Sequence, residues 1–544
     1  MCYNNVMNST PIINISDDSD FAELRQSGGI YVDKTAFLYR LLTWKLKKRF
    51  FVSRPRRFGK SLMISTLKYI LQGQKELFKG TYIHNQTDYD WLVVPVIHLD
   101  FSSLDVTSQA MFDERIAVRM ELCLRAAVPD YVYQENKSPA SNFEQALCAL
   151  YAGSGSAQIA VLVDEYDAPI GHALDRLEMA EYVRAKLEGI YSVVKTHVEK
   201  VSFLMLTGVS KFSQLSIFSG LNNVTDLYED DSFATMFGYT DQELDDNFGD
   251  LMKAHAEKMH LPYKTYRSEL KRWYNGYCFN RDAEKVYNPM AIAKTLSFMA
   301  TEFRPTWTAN CRPTMLVNYM KQAFHSGENF ETGVMVYPEE LGTVADLDGL
   351  ELTDVLYQSG YLTIDRFDKG ERKFVLRVPD VEISCDLSAM MLSLMSKGKP
   401  KTNGMRTAFI EGKVNLFLEL LKPYYAGLVY GASENAVTEG NYQRALQAFF
   451  DVANIFNKPE VHQANGNRAD LMAQYGDYVW VFELKRAKYA SAEDALQQII
   501  DRDYVAPYVR PGNTVYQIGL AFDEATHQLI DTKVQKLVIP VPED

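Results

Sequence analysis

Apolar residues fall along this chain in two rhythms. Near the C-terminus, Val479, Val481, Glu483 and Lys485 alternate with Trp480, Phe482 and Leu484, so each set occupies one face of a predicted β-strand. Both faces are apolar until the strand ends, where a carboxylate and an ammonium fall on the same face. The N-terminal half carries the second rhythm, near-continuous apolar runs at residues 49–53 (RFFVS), 93–102 (VVPVIHLDFS), 159–167 (IAVLVDEYD) and 201–212 (VSFLMLTGVSKF). Such runs are what strands buried on both faces of a parallel sheet require. Helical stretches separate them, so the N-terminal part reads as an α/β core.

Residues from about 240 to 430 lack a strong chemical signature. A helix end and turn are expected at residues 270–280, and Asn288-Pro289 opens a new helix. Residues 352–383 read as a helix followed by a hairpin with Asp368-Lys369-Gly370 at its turn, the pattern of a winged-helix-like module. Residues 396–404 (SKGKPKTNG) read as a basic exposed loop. The expected division is 1–285 for the α/β core, 286–430 for a mainly helical, winged-helix-like middle region and 431–544 for a C-terminal α/β domain.

Between the first apolar run and the helix marked by Leu62, Leu67, Ile70 and Leu71 lies RPRRFGKS. Strand, loop, GKS and helix is the order of a phosphate-binding loop. There, amides and a helix N-terminus wrap polyphosphate, Gly59 permits close approach, Lys60 reaches the β/γ phosphates and Ser61 ligates magnesium. Arg54 stands where the usual pattern has its first glycine, and Arg56 and Arg57 follow as further candidate nucleotide contacts. The run at 159–167 ends in adjacent carboxylates, at the sheet edge where α/β proteins place ligands. Asp164 is the candidate for holding magnesium through water, and Glu165 for orienting or deprotonating the attacking water. The next run ends in Thr207, Ser210 and Lys211, placed to sense a γ-phosphate.

A second constellation accompanies the C-terminal strand. If residues 468–475 and 478–485 pair across a Gly476-Asp477 turn, Asp470 faces Glu483 on one face, about 5 Å away. A three-residue turn would instead set Asp470 against Phe482. Opposed carboxylates are unfavourable unless neutralised, and magnesium, which takes carboxylate oxygens and keeps waters, would neutralise them. Lys485 would then adjoin a metal-bound water able to attack a phosphodiester.

Composition narrows the class. A chain of 544 residues is expected to hold roughly three or four domains. Its 47% hydrophobic and 23% charged residues are those of a globular protein. No apolar run approaches the roughly 20 residues that span a bilayer, and the N-terminus lacks a signal-peptide pattern, so a cytoplasmic protein without membrane contact is expected. Six scattered cysteines without a C-x-x-C pair disfavour a zinc site and a disulfide framework. A net charge of −13 excludes a general polyanion-binding coat and leaves room for a local basic groove.

The segments YVDKTAFLYRLL, SRPRRFGKSL, VLVDEYDAPI, LTGVSKFSQLSIFSGLNNV and WYNGYCF resemble the predicted AAA-ATPase-like proteins that carry a C-terminal PD-(D/E)XK nuclease-like domain, over nearly the whole chain. In that family the loop also reads RPRRFGKS. The D-x12-E-x-K spacing of Asp470, Glu483 and Lys485 matches the nuclease pattern. The resemblance implies that the Leu484 carbonyl joins Asp470 and Glu483 as a metal ligand, that Lys485 supports water activation, and that Glu439 and Glu460 are accessory ligands. It also implies that Gln498 and Tyr504 face a DNA backbone. Asn467 stands where the family usually has glycine, with Gly466 beside it. The implied protein is bacterial, binds ATP and magnesium, and has nucleic acid as its partner, DNA ahead of RNA, with homo-oligomerisation open. Its expected function is an ATPase whose nucleotide state controls a magnesium-dependent nuclease. The alternatives are a non-cleaving nucleotide switch with a nuclease-like binding module, and an ATP-driven remodeller of proteins.

Overall fold

The four N-terminal apolar runs become strands of one parallel sheet: β1 (Arg49–Ser53), β2 (Val96–Asp100), β3 (Ile159–Asp164) and β4 (Val201–Gly208). A two-residue strand, β5 (Thr225–Asp226), joins them outside the expected runs, and the order is β2-β3-β4-β1-β5. Three runs extend beyond their strands: β2 is shorter at both ends, and β3 and β4 stop where their chains turn into loops at Asp164 and Gly208. The computed structural model describes residues 20–45, 48–155, 157–211, 224–281, 284–298, 301–306, 333–338, 340–341, 352–395, 402, 404–428, 437–453, 455–462 and 468–540. They form two compact units, the first reaching residue 306 and including 333–380, the second running from residue 381 onward.

In the first unit, every residue of β3 is buried, as a central strand covered on both faces demands. Helices Gln109–Ala127, Pro139–Gly153 and Leu177–Thr196 supply the apolar cover, and Ser108 and Ser138 cap the first two of them. The later part of the unit holds helices Asp241–Lys258 and Tyr263–Tyr274, then the short antiparallel pair β6 (Asn275–Tyr277) and β7 (Val286–Tyr287). Asn288 opens helix Pro289–Phe298 as expected, its side chain accepting from the amides of Met290 and Ala291. Strand β8 (Val334–Val336) joins the expected hairpin of β9 (Thr363–Asp368) and β10 (Lys373–Arg377), which follows helix Leu352–Ser359. The Asp368 carboxylate accepts from the amides of Gly370 and Glu371, and the turn runs on to Arg372, which takes a left-handed φ of 56°. The loop expected at 396–404 lies largely outside the described residues.

The second unit is built on a mixed sheet, β11 (Phe456–His462), β12 (Arg468–Tyr475), β13 (Tyr478–Arg486), β14 (Thr514–Phe522) and β15 (Leu529–Val538), in that order. The β12–β13 hairpin has the two-residue register: Leu471 pairs with Phe482 and Tyr475 with Tyr478, so the three-residue turn does not occur. Gly476 permits this with φ of 55°. Strand β13 then pairs in parallel with β14, across helix Ala492–Asp501. Trp480, Phe482 and Leu484 face a core shared with helices Val414–Ala426 and Glu439–Val452, while Val479 and Val481 lie with Ile499 beneath Ala492–Asp501. Helical cover on each face is the reason both sides of β13 are apolar. Among the described residues, no helix is long and apolar enough to cross a membrane.

Gly519 on β14 shows how closely the Ala492–Asp501 helix rides the sheet. A Cβ there would stand 2.1 Å from the Ala492 carbonyl oxygen and 2.7 Å from the Leu496 amide nitrogen. Both are backbone atoms and cannot rotate away. Gly519→Ala is expected to lift the helix and destabilise this unit by about 3 kcal/mol, read as a lower urea midpoint for its transition; an unchanged midpoint would show that the helix can shift freely.

Candidate active sites

The first site lies where β1, β3 and β4 end side by side. The Arg54 amide extends the β1–β4 ladder by donating to the Gly208 carbonyl at 3.1 Å, after which the loop turns through Arg57 (φ 69°) and Gly59 (φ 87°) into helix Lys60–Leu71. Lys60 is 3% exposed, and its ammonium donates to the Arg54 and Pro55 carbonyls at 3.1 Å each and approaches Glu165 at 3.5 Å. Asp164, buried at the tip of β3, is hydrogen-bonded by the Ser61 and Thr207 hydroxyls, the latter at 2.5 Å. Burial raises the Asp164 pKa, and those two hydroxyls pull it back. Lys60, Ser61, Asp164, Glu165 and Thr207 are thus brought together. Glu165 holds a left-handed backbone (φ 52°), an unfavourable conformation for a non-glycine residue. Arg56 and Arg57 sit half-buried on the loop, and the Arg56 charge, second to burial, depresses the pKa of His172.

Arg54 itself turns away from this cluster. It is 2% exposed, with its guanidinium 4.4 Å from the Phe279 ring, 5.7 Å from Tyr228 and 5.8 Å from Phe237. Burial lowers its pKa, and its Nε has no hydrogen-bond partner. The left-handed turns of this loop fall at Arg57 and Gly59, so position 54 does not require glycine. Phe58, also on the loop, meets Tyr277 and Phe279 edge-on, which gives the WYNGYCF segment its place as the loop's aromatic support.

Two of the expected phosphate sensors have other partners. Ser210 donates to buried Asp167 through both its amide and its hydroxyl, and Lys211 pairs with Asp226 at 2.8 Å. Asp167 also accepts from the Val209 amide, and Tyr166 donates its hydroxyl to the Ser210 carbonyl, so the DEYD segment holds the loop after β4 in place. This role of Asp167 was not read from sequence. The third acidic residue of that segment was its only signal.

The second site sits at the end of the β12–β13 hairpin. Asp470 accepts from the Leu484 amide at 2.8 Å, one step beyond the last ladder pair. Because the amide and carbonyl of one strand residue point to the same side, the Leu484 carbonyl is turned to the β12 side as well. Glu483 is 1% exposed; its Oε1 accepts from Lys485 at 2.7 Å and from Gln498, while its buried Oε2 has no hydrogen bond of normal geometry. Burial, then the charge of Asp470, push the Glu483 pKa up to about 7, against the pull of Lys485. Glu439 enters from its helix and accepts from the Arg486 amide at 3.1 Å. Four residues on, Gln443 donates to the Asp470 carbonyl at 2.7 Å, a contact missed in the sequence although Glu439 and Gln443 share a helix face.

The accessory positions divide. Gln498 reaches Glu483 and also the Tyr504 hydroxyl, and Tyr504 is 1% exposed with its ring packed in the core beneath its helix. Glu460 lies on β11 between residues that pair with Leu471 and Ala469, level with Asp470; its side chain is outside the described residues. Among the described residues, no three His, Cys, Asp or Glu side chains cluster as a metal-binding group. The donor set here is two carboxylates and a carbonyl. Magnesium, which retains several waters, suits that set, and the orphaned Glu483 Oε2 is an oxygen that a hard cation would satisfy.

Two family profiles match separate parts of the chain. Residues 17–218 match a family profile described as "Predicted AAA-ATPase", and residues 437–532 match one described as "PD-(D/E)XK nuclease superfamily". A curated protein, "Uncharacterized protein in vnfD 5'region" from Azotobacter chroococcum mcd 1, is 30% identical over 534 residues, covering 95% of this chain and 98% of that protein.

Proposed function

The chain belongs to the family of predicted AAA-ATPases with a C-terminal PD-(D/E)XK nuclease-superfamily domain, and on that premise we propose that it is an ATP-hydrolysing protein whose nucleotide state controls magnesium-dependent cleavage of nucleic acid, DNA ahead of RNA, in the cytoplasm. At the first site Lys60 contacts the β/γ phosphates, Ser61 and Asp164 take magnesium, Glu165 orients the attacking water and Thr207 fixes Asp164. Arg56, Arg57 and Gly59 complete the phosphate loop.

At the second site Asp470, Glu483 and the Leu484 carbonyl hold magnesium. When bound, the ion lowers the pKa of its water and offsets charge on the phosphodiester. Lys485 and Gln498 orient Glu483, and Lys485 would support activation of the attacking water. The observation that carries this reading is a buried carboxylate with one unpaired oxygen, set against a second carboxylate and a lysine. A carboxylate so placed is costly unless a cation completes it.

The test is cleavage of end-labelled single- and double-stranded DNA and RNA by the full chain, in magnesium or EDTA, with and without ATP. Cleavage in magnesium alone, changed in rate by ATP, is the expected result. Absence of cleavage in every condition, with ATP still bound, would replace it with the non-cleaving switch.

A further inference from the structure

The turn that follows Lys485 carries an exposed aromatic ring on a fully tied backbone. The Arg486 amide donates to Glu439 at 3.1 Å, the Ala487 amide to the Phe522 carbonyl at 2.8 Å and the Lys488 amide to Glu524 at 2.6 Å. The amides of Tyr489 and Ala490 both return to the Arg486 carbonyl, and Ser491 then caps the next helix with a capping box. Every amide from 486 to 490 is therefore satisfied, two of them by carboxylates. On this rigid turn the Tyr489 side chain is 67% exposed. The Arg486 guanidinium, its Nε buried, lies over the ring 5.3 Å from its centre, and the Lys488 ammonium lies over it at 5.6 Å.

A single exposed aromatic residue usually needs no explanation. Here the ring is flanked by two cations, in a chain with an overall charge of −13, and stands four residues beyond a lysine that touches Glu483. An aromatic face between cations is the chemistry that receives a nucleobase and its neighbouring phosphates. A paired base keeps its faces stacked inside the duplex; an unpaired base offers one.

We propose that Tyr489, with Arg486 and Lys488, is a stacking platform for an unpaired base beside the scissile phosphodiester, which makes single strands and frayed ends the substrate class. This rests on the nuclease reading of Asp470, Glu483 and Lys485. Arg486 and Lys488 take the flanking phosphates, and the tied turn fixes how far the stacked base lies from Glu483.

Binding is measured with oligonucleotides carrying 2-aminopurine, as single strands and as blunt duplexes, to the full chain in the Glu483→Gln background so that strands stay intact. Tyr489→Ala is expected to weaken single-strand binding about tenfold and to abolish quenching of the fluorescent base, Tyr489→Phe to retain both, and duplex binding to stay unchanged. The position is exposed, and circular dichroism checks that both variants fold. Equal single-strand affinity for Tyr489→Ala and the parent, or an equal loss on duplex, overturns the platform. Cleavage by the chain with native Glu483 separates the two claims: Tyr489-dependent binding without magnesium-dependent cleavage overturns the nuclease reading and leaves the platform, whereas cleavage of single strands that Tyr489→Ala leaves intact does the reverse.

Discussion

Glu483→Gln will abolish magnesium-dependent cleavage and, in the same protein, raise stability at neutral pH in EDTA. The first effect follows from removing a metal carboxylate: charge stabilisation by such an ion is worth several kcal/mol, so the rate falls on the order of 10³-fold. The second follows from burial. Desolvation and then Asp470 raise the Glu483 pKa from 4.5 to about 7, so the folded protein holds a proton that the unfolded chain releases above 4.5. Without metal, stability therefore declines as pH rises from about 4.5 to about 7, by on the order of 3 kcal/mol at ~1.4 kcal/mol per unit. Glutamine keeps the shape and the Oε1-type acceptor for Lys485 and Gln498, and has no charge to desolvate. Urea melts at pH 5 and pH 8, with EDTA or magnesium, separate the terms: the native protein should gain from magnesium at pH 8 and the variant should not. A variant that cleaves at the native rate would remove Glu483 from the site, and one that melts earlier at pH 8 would contradict the desolvation account.

Lys60→Ala will reduce ATP affinity by 10- to 100-fold or more and bring hydrolysis to background. A buried charge-assisted contact to phosphate is worth about 1.5–3 kcal/mol, and Lys60 is the ammonium within the loop, 3.5 Å from Glu165. Its loss also strips a donor from the Arg54 and Pro55 carbonyls, so the loop loosens as well as losing charge. Titration with a fluorescent ATP analogue and a phosphate-release assay measure both effects. In the same variant, cleavage in magnesium alone should persist and lose its response to ATP. Undiminished ATP binding would exclude the loop as the nucleotide site; an ATP response that survives would exclude nucleotide control through it.

Much of this was legible from local pattern. The strand, loop and helix around Gly59 and Lys60 were readable because a buried run, a glycine and an amphipathic helix each leave a sequence trace. The β12–β13 register was readable because Gly476-Asp477 fits a two-residue turn and the side chains alternate with period two. What escaped depends on contacts between distant segments. β5 is two residues long, too short for a period, and exists because β1 offers a free edge to Thr225 and Asp226. Ser210 and Lys211 look like phosphate sensors until Asp167 and Asp226 are brought beside them. Tyr504 follows a helix whose apolar face is evident, but whether the ring turns under that helix or away from it is decided by Gln498 and Arg502, which donate to its hydroxyl.

The position of β1 in its sheet bears on how the chain is made. Phe50 and Phe51 are fully buried between β4 and β5, and Arg49 pairs with Leu204. On the ribosome, at about 5–20 residues per second, the partner emerges roughly 150 residues and on the order of 10–30 s after β1 itself. For that interval a strand designed for a sheet interior has neither neighbour, and the phosphate loop it anchors cannot close. The nascent N-terminal half thus carries an unpaired apolar strand for that interval, and slower translation through residues 54–204 would lengthen its exposure.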